Sequence, residues 1–108
     1  MGKYDLALGD FNYCLELDPD WAWAFAERGQ VYILQGQFDK AIDDFSKAIE
    51  YNPEYIPSYL HRADAYQKKG DNKRAKADYK LLMHMKLSPD LRKQVQDRLR
   101  KLGGFWGF

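Results

Sequence analysis

The sequence repeats itself with a period of 34 residues, and this period constrains the fold more than any other feature of the chain. The matching pairs are Arg28 and Arg62, Tyr32 and Tyr66, Gly36 and Gly70, Ala41 and Ala75, and Asp44 and Asp78. A repeat of this length is one supersecondary unit that buries its apolar face only against a neighbouring unit. The sequence therefore predicts a stack of similar units.

A degraded copy of the unit occupies the start of the chain. Shifting by 34 in the other direction places Gly36, Asp39, Ala41, Asp44, Phe45, Glu50 and Pro53 on Gly2, Asp5, Ala7, Asp10, Phe11, Glu16 and Pro19. By this register the chain opens inside a repeat, with the second helix present and the leading helix missing. Two interpretations stay open: a longer array upstream of Met1, or an interface on the uncovered helix.

Apolar residues recur at three- and four-residue steps, which is typical of amphipathic helices. Pro19 and Pro53 end two of them, because proline cannot continue the helical hydrogen-bond ladder. Gly36 suits the left-handed conformation that closes a helix. The pattern predicts helices over residues 3–17, 21–34, 38–51, 55–69, 73–86 and 89–102, followed by two glycines and an aromatic tail.

Each unit combines small and large apolar residues, as two closely packed antiparallel helices require. The small positions are Gly29, Ala41 and Ala48, and the large ones are Phe25, Tyr32 and Phe45. We expect truncation of the central aromatic, Phe45→Ala, to cost about 3 to 5 kcal/mol of stability, because it empties a core site.

The period, the order of Phe25, Gly29 and Tyr32, and the later Ala41, Phe45, Ala48 and Pro53 together resemble the tetratricopeptide repeat. The resemblance implies an all-α solenoid of helical hairpins. Its predicted parts are a half repeat (1–19), repeats (20–53 and 54–88), a capping helix (89–102) and a Gly/aromatic tail (103–108). Leu82 and Leu87 replace the small residue and the proline of the pattern, which predicts looser or shifted packing in the last repeat.

The resemblance also implies function: a groove on the leading helices that binds a peptide or helix of a partner protein, without catalysis or cofactor. Carried onto this chain, the groove residues are Trp23, Glu27, Gln30, Ile33, Leu34, Leu60, His61, Asp64 and Gln67. Part of the family clamps a peptide carboxylate with Lys, Asn and Arg. Here the matching positions hold Gln30, Pro57, His61 and Asp64, so we expect a groove of another type.

Charge is divided unevenly along the chain. Residues 1–67 carry 5 Lys and Arg against 12 Asp and Glu, a balance of −7, whereas residues 68–108 carry 12 against 4, a balance of +8. This favours a second hypothesis, head-to-tail self-association that salt would weaken. Its predicted contacts are Tyr4, Leu8, Phe11, Phe105, Trp106 and Phe108. Binding of nucleic acid or anionic lipid to the basic half ranks third, since solvated helix faces explain the same charge.

Other functions find little support in the sequence. No apolar run approaches the roughly 20 residues that span a membrane. The one cysteine, Cys14, is compatible with a reducing compartment, and a cytoplasmic location is expected. His61 and His84 are too isolated for a metal site. Asp43 and Asp44 are expected on the side of their helix away from the apolar stripe, and no catalytic motif accompanies them.

Overall fold

The computed structural model describes residues 2–103, and this range contains six α-helices and no strand. They are α1 (Lys3–Leu17), α2 (Ala22–Leu34), α3 (Phe38–Tyr51), α4 (Ile56–Lys69), α5 (Asn72–Met83) and α6 (Pro89–Lys101). The prediction of an all-α chain is confirmed over this range. The predicted contact residues Phe105, Trp106 and Phe108 lie outside it.

Equivalent loops close the two hairpins in the same way. Gly36 and Gly70 have φ values of 76° and 94°, in the left-handed region that glycine adopts without strain. The following N–H groups, of Gln37 and Asp71, donate to carbonyl oxygens inside the preceding helices at 2.9 and 2.8 Å. These bonds satisfy acceptors at each helix end, so the sequence period becomes a structural period.

Each helix packs against the next one along the chain. α2 with α3 and α4 with α5 form helical hairpins, α3 and α4 join the two hairpins, and α1 and α6 pack on α2 and α5 respectively. Phe45 is the centre of one core cluster, and Tyr79 is the centre of the next. A Cβ atom on Gly29 would lie 2.8 Å from the Phe45 ring, so the glycine lets the two helices approach closely.

Two ion pairs cross the hairpins at equivalent positions. Arg28 donates two hydrogen bonds of 2.8 Å to Asp44, and Arg62 donates bonds of 2.9 and 2.6 Å to Asp78. The sequence-based placement of Asp44 is therefore wrong: this carboxylate is buried, at 5% exposure. Burial raises the pKa of Asp44, and the hydrogen bonds from Arg28 act against that rise. The carboxylate turns inward because an arginine from the facing helix replaces its water.

Both arginines also reach a third helix. Arg28 Nη1 donates to Asn12 Oδ1 of α1 at 2.9 Å, and Arg62 Nη1 donates to Ser46 Oγ of α3 at 3.1 Å. Each guanidinium therefore connects its own helix, the partner helix of its hairpin and the last helix of the preceding unit. Such planar, multiply bonded arginines fix helix register in addition to contributing stability.

The end of α5 differs from the prediction. The helix ends at Met83, three residues before Lys86, and Arg92 donates to the carbonyl oxygens of Met83 and Met85 at 3.1 and 3.0 Å. Leu82, in the last turn of α5, is fully buried in the same cluster as Val95 and Leu99 of α6. The packing around Leu82 is therefore shifted towards α6, and the leucine is accommodated there.

Among the helices of residues 2–103, none has the length and apolar content that crossing a membrane requires.

Candidate functional site

Two adjoining cavities, each of about 230 Å³, lie along helices α2, α4 and α6. The first is lined by Gln30, Ile33, Leu34, His61 and Asp64. The second is lined by Leu60, His61, Asp64, Gln94, Val95 and Arg98. His61 and Asp64 border both, so the two cavities form one elongated surface depression, here called the α2–α4–α6 cleft.

The cleft changes character along its length. Ile33 and Leu34 form an apolar end, and Leu34 is 64% exposed to solvent. Asp64 supplies a negative charge in the middle, 3.8 Å from Lys68 on the same helix. Arg98 supplies a positive charge at the other end, where its Nη1 donates to the Tyr79 hydroxyl at 3.3 Å. An extended ligand would meet apolar, acidic and basic surfaces in succession.

His61 forms the floor between the two cavities. Its ring stacks on Phe45 with centroids 5.9 Å apart. Burial lowers the pKa of His61 below its ordinary value of 6.5, with Arg98 acting in the same direction and Asp64 and Glu27 acting against it. The ring is therefore neutral at pH 7, and its two nitrogens offer one hydrogen-bond donor and one acceptor.

Most of the predicted groove residues line the cleft. They are Gln30, Ile33, Leu34, Leu60, His61 and Asp64.

Three predicted groove residues have other contacts. Trp23 packs on Phe11 and Trp21, with ring centroids 5.7 and 5.1 Å apart. Glu27 accepts a hydrogen bond from Gln30 at 2.8 Å, and Gln67 accepts one from the Tyr79 hydroxyl at 3.3 Å. Glu27 and Gln67 therefore support the cleft lining, through Gln30 and through Tyr79 and Arg98, whereas the contacts of Trp23 lie outside the cleft.

Helix α6 supplies cleft residues that the sequence interpretation missed. Gln94 and Arg98 stand 34 positions after Leu60 and Asp64, so the repeat period itself places them on the same surface. The sequence interpretation treated α6 only as a cap and did not extend the period into it. The positive end of the cleft was missed for this reason.

Many lysines and arginines of residues 68–108 already form ion pairs or hydrogen bonds within the molecule. Lys68, Lys69, Arg74 and Arg100 pair with aspartates, while Arg92 and Arg98 donate to carbonyl or hydroxyl oxygens. Exposed pairs of this kind contribute little stability, but they lower the charge available to an anionic ligand. The nucleic-acid and lipid hypothesis stays a prediction.

Family models match the two hairpins directly. A model described as TPR repeat matches residues 29–70, and one described as tetratricopeptide repeat matches residues 56–86. Together these matches cover more than half of the chain. The chain belongs to the tetratricopeptide repeat (TPR) family. Its all-α fold is accordingly a TPR solenoid of helical hairpins.

Solved TPR structures superpose on nearly the whole chain. The type III secretion chaperone SycD of Yersinia enterocolitica, in complex with a peptide of the translocator YopD, is 23% identical with a TM-score of 0.86, covering 94% of this chain and 81% of that one. The second TPR domain of human RPAP3, in complex with the HSP70 peptide SGPTIEEVD, is 24% identical with a TM-score of 0.81, covering 94% and 82%.

The first TPR of Spaghetti (RPAP3), bound to the HSP90 peptide SRMEEVD, is 22% identical with a TM-score of 0.80, covering 95% and 85%. At these identities the likeness shows the fold and no more. No match was found among curated proteins.

Proposed function

We propose that this TPR domain is a protein-interaction module that binds a peptide or helix of a partner protein in the α2–α4–α6 cleft. The observation that carries the proposal is the convergence of Ile33, Leu34, His61 and Asp64 on one open depression. An elongated depression with a partly apolar lining and a few fixed polar groups is typical of peptide-recognition sites. The solved relatives in complex with peptides support the same class of function.

The lining defines the ligand that fits. Ile33 and Leu34 favour an apolar side chain, Asp64 favours a cation or N–H donor, and Arg98 favours a carboxylate or carbonyl oxygen. Gln30, Pro57, His61 and Asp64 stand where a carboxylate clamp would need Lys, Asn or Arg, so we infer that the cleft does not clamp a peptide carboxylate. The peptides SRMEEVD and SGPTIEEVD are therefore not expected to bind.

A library of displayed peptides, screened against the full chain, tests the proposal. We expect the selected peptides to lose at least about tenfold in affinity with Leu34→Glu, because a charge then occupies the apolar end. Leu81→Glu is the matched control, since Leu81 is also exposed and lies on α5 outside the cleft lining. Equal binding by the two variants would contradict the proposal, and tight binding of SRMEEVD would contradict the inference that the cleft does not clamp a peptide carboxylate.

Self-association stays a second hypothesis. Its support is the placement of the acidic α1 and the basic α6 at opposite ends of the stack, with Tyr4 exposed and Leu8 and Phe11 half-buried on α1. Sedimentation at low and high salt tests it, because an association that depends on charge must weaken as salt rises. A monomer at both salt concentrations would rule it out.

A further inference from the structure

Asp64 and Arg98 are the two charged residues that line the α2–α4–α6 cleft, and their charges are weakly compensated within residues 2–103. The Asp64 carboxylate lies 3.8 Å from the Lys68 ammonium, which is longer than a hydrogen bond. Arg98 donates one hydrogen bond, of 3.3 Å to the Tyr79 hydroxyl, although a guanidinium has five N–H donors. Asp64 and Arg98 border the same cavity, yet no ion pair joins them in the described part of the chain. Both charges therefore remain available to a ligand.

The groups around His61, on the floor of the cleft, make the middle of the cleft negative. Burial lowers the pKa of His61 below 6.5, so its ring is neutral at pH 7 and does not compensate Asp64. Glu27 of α2 adds a second negative charge, because it acts on the His61 pKa in the same direction as Asp64. Arg98 of α6 acts in the opposite direction, from the other end of the cleft. A cation is therefore the ligand group that suits the middle of the cleft.

A chain of hydrogen bonds holds the Arg98 guanidinium at its end of the cleft. Arg98 Nη1 donates to the Tyr79 hydroxyl, and that hydroxyl donates to Gln67 Oε1 at 3.3 Å. Tyr79 is fully buried, so its hydroxyl is a fixed acceptor. An arginine held in this way loses less conformational freedom when it binds an anion. Its remaining N–H groups form a planar fork that matches a carboxylate.

A segment that covers the cleft removes water from both charges. A charge that loses its water without an opposite charge nearby costs more free energy than a neutral hydrogen bond returns. A backbone N–H or carbonyl group of the ligand would leave such a deficit at Asp64 and at Arg98. Ionised side chains supply the opposite charge and form shorter, stronger hydrogen bonds. Charge complementarity therefore favours a ligand with one basic and one acidic side chain.

We propose that the partner segment places a basic side chain on Asp64, an acidic side chain on Arg98 and an apolar side chain on Leu34. This inference rests on the proposed peptide-binding function and names the chemistry of its ligand. Leu34 and Arg98 line different cavities, and Asp64 lines both, so the basic residue stands between the apolar and the acidic one. This order holds for either chain direction of the bound segment. The cleft thereby selects partners by the order of their charges.

Two libraries of displayed peptides, screened against the full chain, test the charge order. In the first library, a Lys or Arg stands between a large apolar residue and an Asp or Glu, with short variable spacers. In the second library the basic and acidic residues are exchanged, so that the composition and net charge of the peptides are the same. We expect selection to enrich the first library at least about tenfold over the second, because the second places like charges together at Asp64 and Arg98.

A charge exchange in the protein locates the contacts. We expect Asp64→Arg combined with Arg98→Asp to invert the preference between a selected peptide and its charge-exchanged twin, by about tenfold or more in each direction. The net charge of the chain is unchanged, and circular dichroism checks the fold. Asp43→Arg combined with Arg100→Asp is the matched control, since both residues are exposed and lie outside the cleft lining. Calorimetric titration measures the affinities.

Salt provides a second measurement, on the unaltered chain. The preference for the selected peptide over its charge-exchanged twin is expected to shrink as salt rises, because it depends on charge alone. The two peptides have the same composition, so a preference that depends on apolar contacts would not respond in this way. A preference that is independent of salt would therefore overturn the proposal.

Other outcomes also overturn the proposal. Equal enrichment of the two libraries, or an Asp64→Arg and Arg98→Asp variant that keeps the original preference, would reject the charge order. Inversion by the Asp43→Arg and Arg100→Asp control would assign the preference to charges outside the cleft. If the selected peptides are still weakened by Leu34→Glu in these cases, the peptide-binding function stands and the charge order alone is lost. Peptides that no cleft substitution weakens would contradict both.

Discussion

At the scale of single residues, buried polar groups are stabilised mainly by partners that are distant in sequence. Asp44 and Asp78 are buried because arginines sixteen residues earlier in the chain neutralise them. Ser58 has no such partner: its hydroxyl is buried, and no atom in residues 2–103 hydrogen-bonds to it. Its repeat equivalent is Ala24, which is equally buried. Both side chains are therefore fully buried, and they differ in the Ser58 hydroxyl, which no atom of residues 2–103 hydrogen-bonds.

We expect Ser58→Ala to raise the free energy of unfolding by about 1 kcal/mol, because it removes an uncompensated polar atom from the interior. Ser88→Ala is the control: Ser88 caps α6 by accepting from the Leu91 N–H, so its loss should lower the free energy of unfolding by about 1 kcal/mol. Urea denaturation measures both changes. A destabilising Ser58→Ala would show that the hydroxyl has a partner in solution.

His61 makes stability depend on pH. Its pKa in the folded protein is lowered by burial, so the folded state binds a proton less readily than the unfolded chain. The stability that the neutral His61 ring contributes to the folded state is therefore fully present above pH 6.5, and it is lost as the pH falls through the folded-state pKa. We expect His61→Gln to reduce the loss of stability between pH 7 and pH 5. His84→Gln, at the exposed second histidine, should leave that loss unchanged.

At the scale of helices, the distance between α2 and α3 depends on the small residue at their contact, Gly29. Gly29 and Gly9 both lie inside helices, yet only Gly29 faces a ring at contact distance. A Cβ on Gly9 would have no heavy atom within 4 Å. A substitution at Gly9 therefore changes helix propensity alone, whereas one at Gly29 changes both helix propensity and packing.

We expect Gly9→Ala to stabilise the protein by up to about 1 kcal/mol through helix propensity. Gly29→Ala gains the same propensity but forces the added methyl group against the fully buried Phe45 ring, so we expect a net loss of about 1 to 2 kcal/mol. Urea denaturation of the pair checks this. Equal stabilisation by both changes would mean that α2 and α3 can separate at low cost.

At the scale of the whole molecule, stability is unevenly distributed along the stack. α3, α4 and α5 are each packed against a helix on both sides, whereas α1 contacts α2 alone among the described helices. Because α1 buries no residue completely, few contacts are lost when it opens. We therefore expect α1 to be the least protected of the described helices.

Amide hydrogen exchange should reveal this uneven distribution of stability among the helices. We expect amide protection to be lowest in α1 and highest in α3 and α4, whose opening requires separation of the Phe45 cluster. Mass spectrometry of deuterated peptides measures the order. Protection of α1 equal to that of α3 would contradict this expectation.

The sequence by itself determined the repeat unit, the all-α fold and most helix boundaries. These depend on local terms, such as the prolines after α1 and α3, the glycines at positive φ and the spacing of apolar residues. The resemblance to the tetratricopeptide repeat implied a groove that includes Gln30, Ile33, Leu34, Leu60, His61 and Asp64, and these six residues line the cleft.

Only the tertiary structure decided which charges are buried and where the cleft ends. The Asp44 carboxylate is buried because Arg28 approaches from another helix, and the polarity of α3 alone gives no sign of that partner. α5 ends at Met83, where Arg92 of α6 donates to the carbonyl oxygens of Met83 and Met85, and α6 also brings Arg98 into the cleft. These features depend on how helices cross in space, which local sequence patterns do not specify.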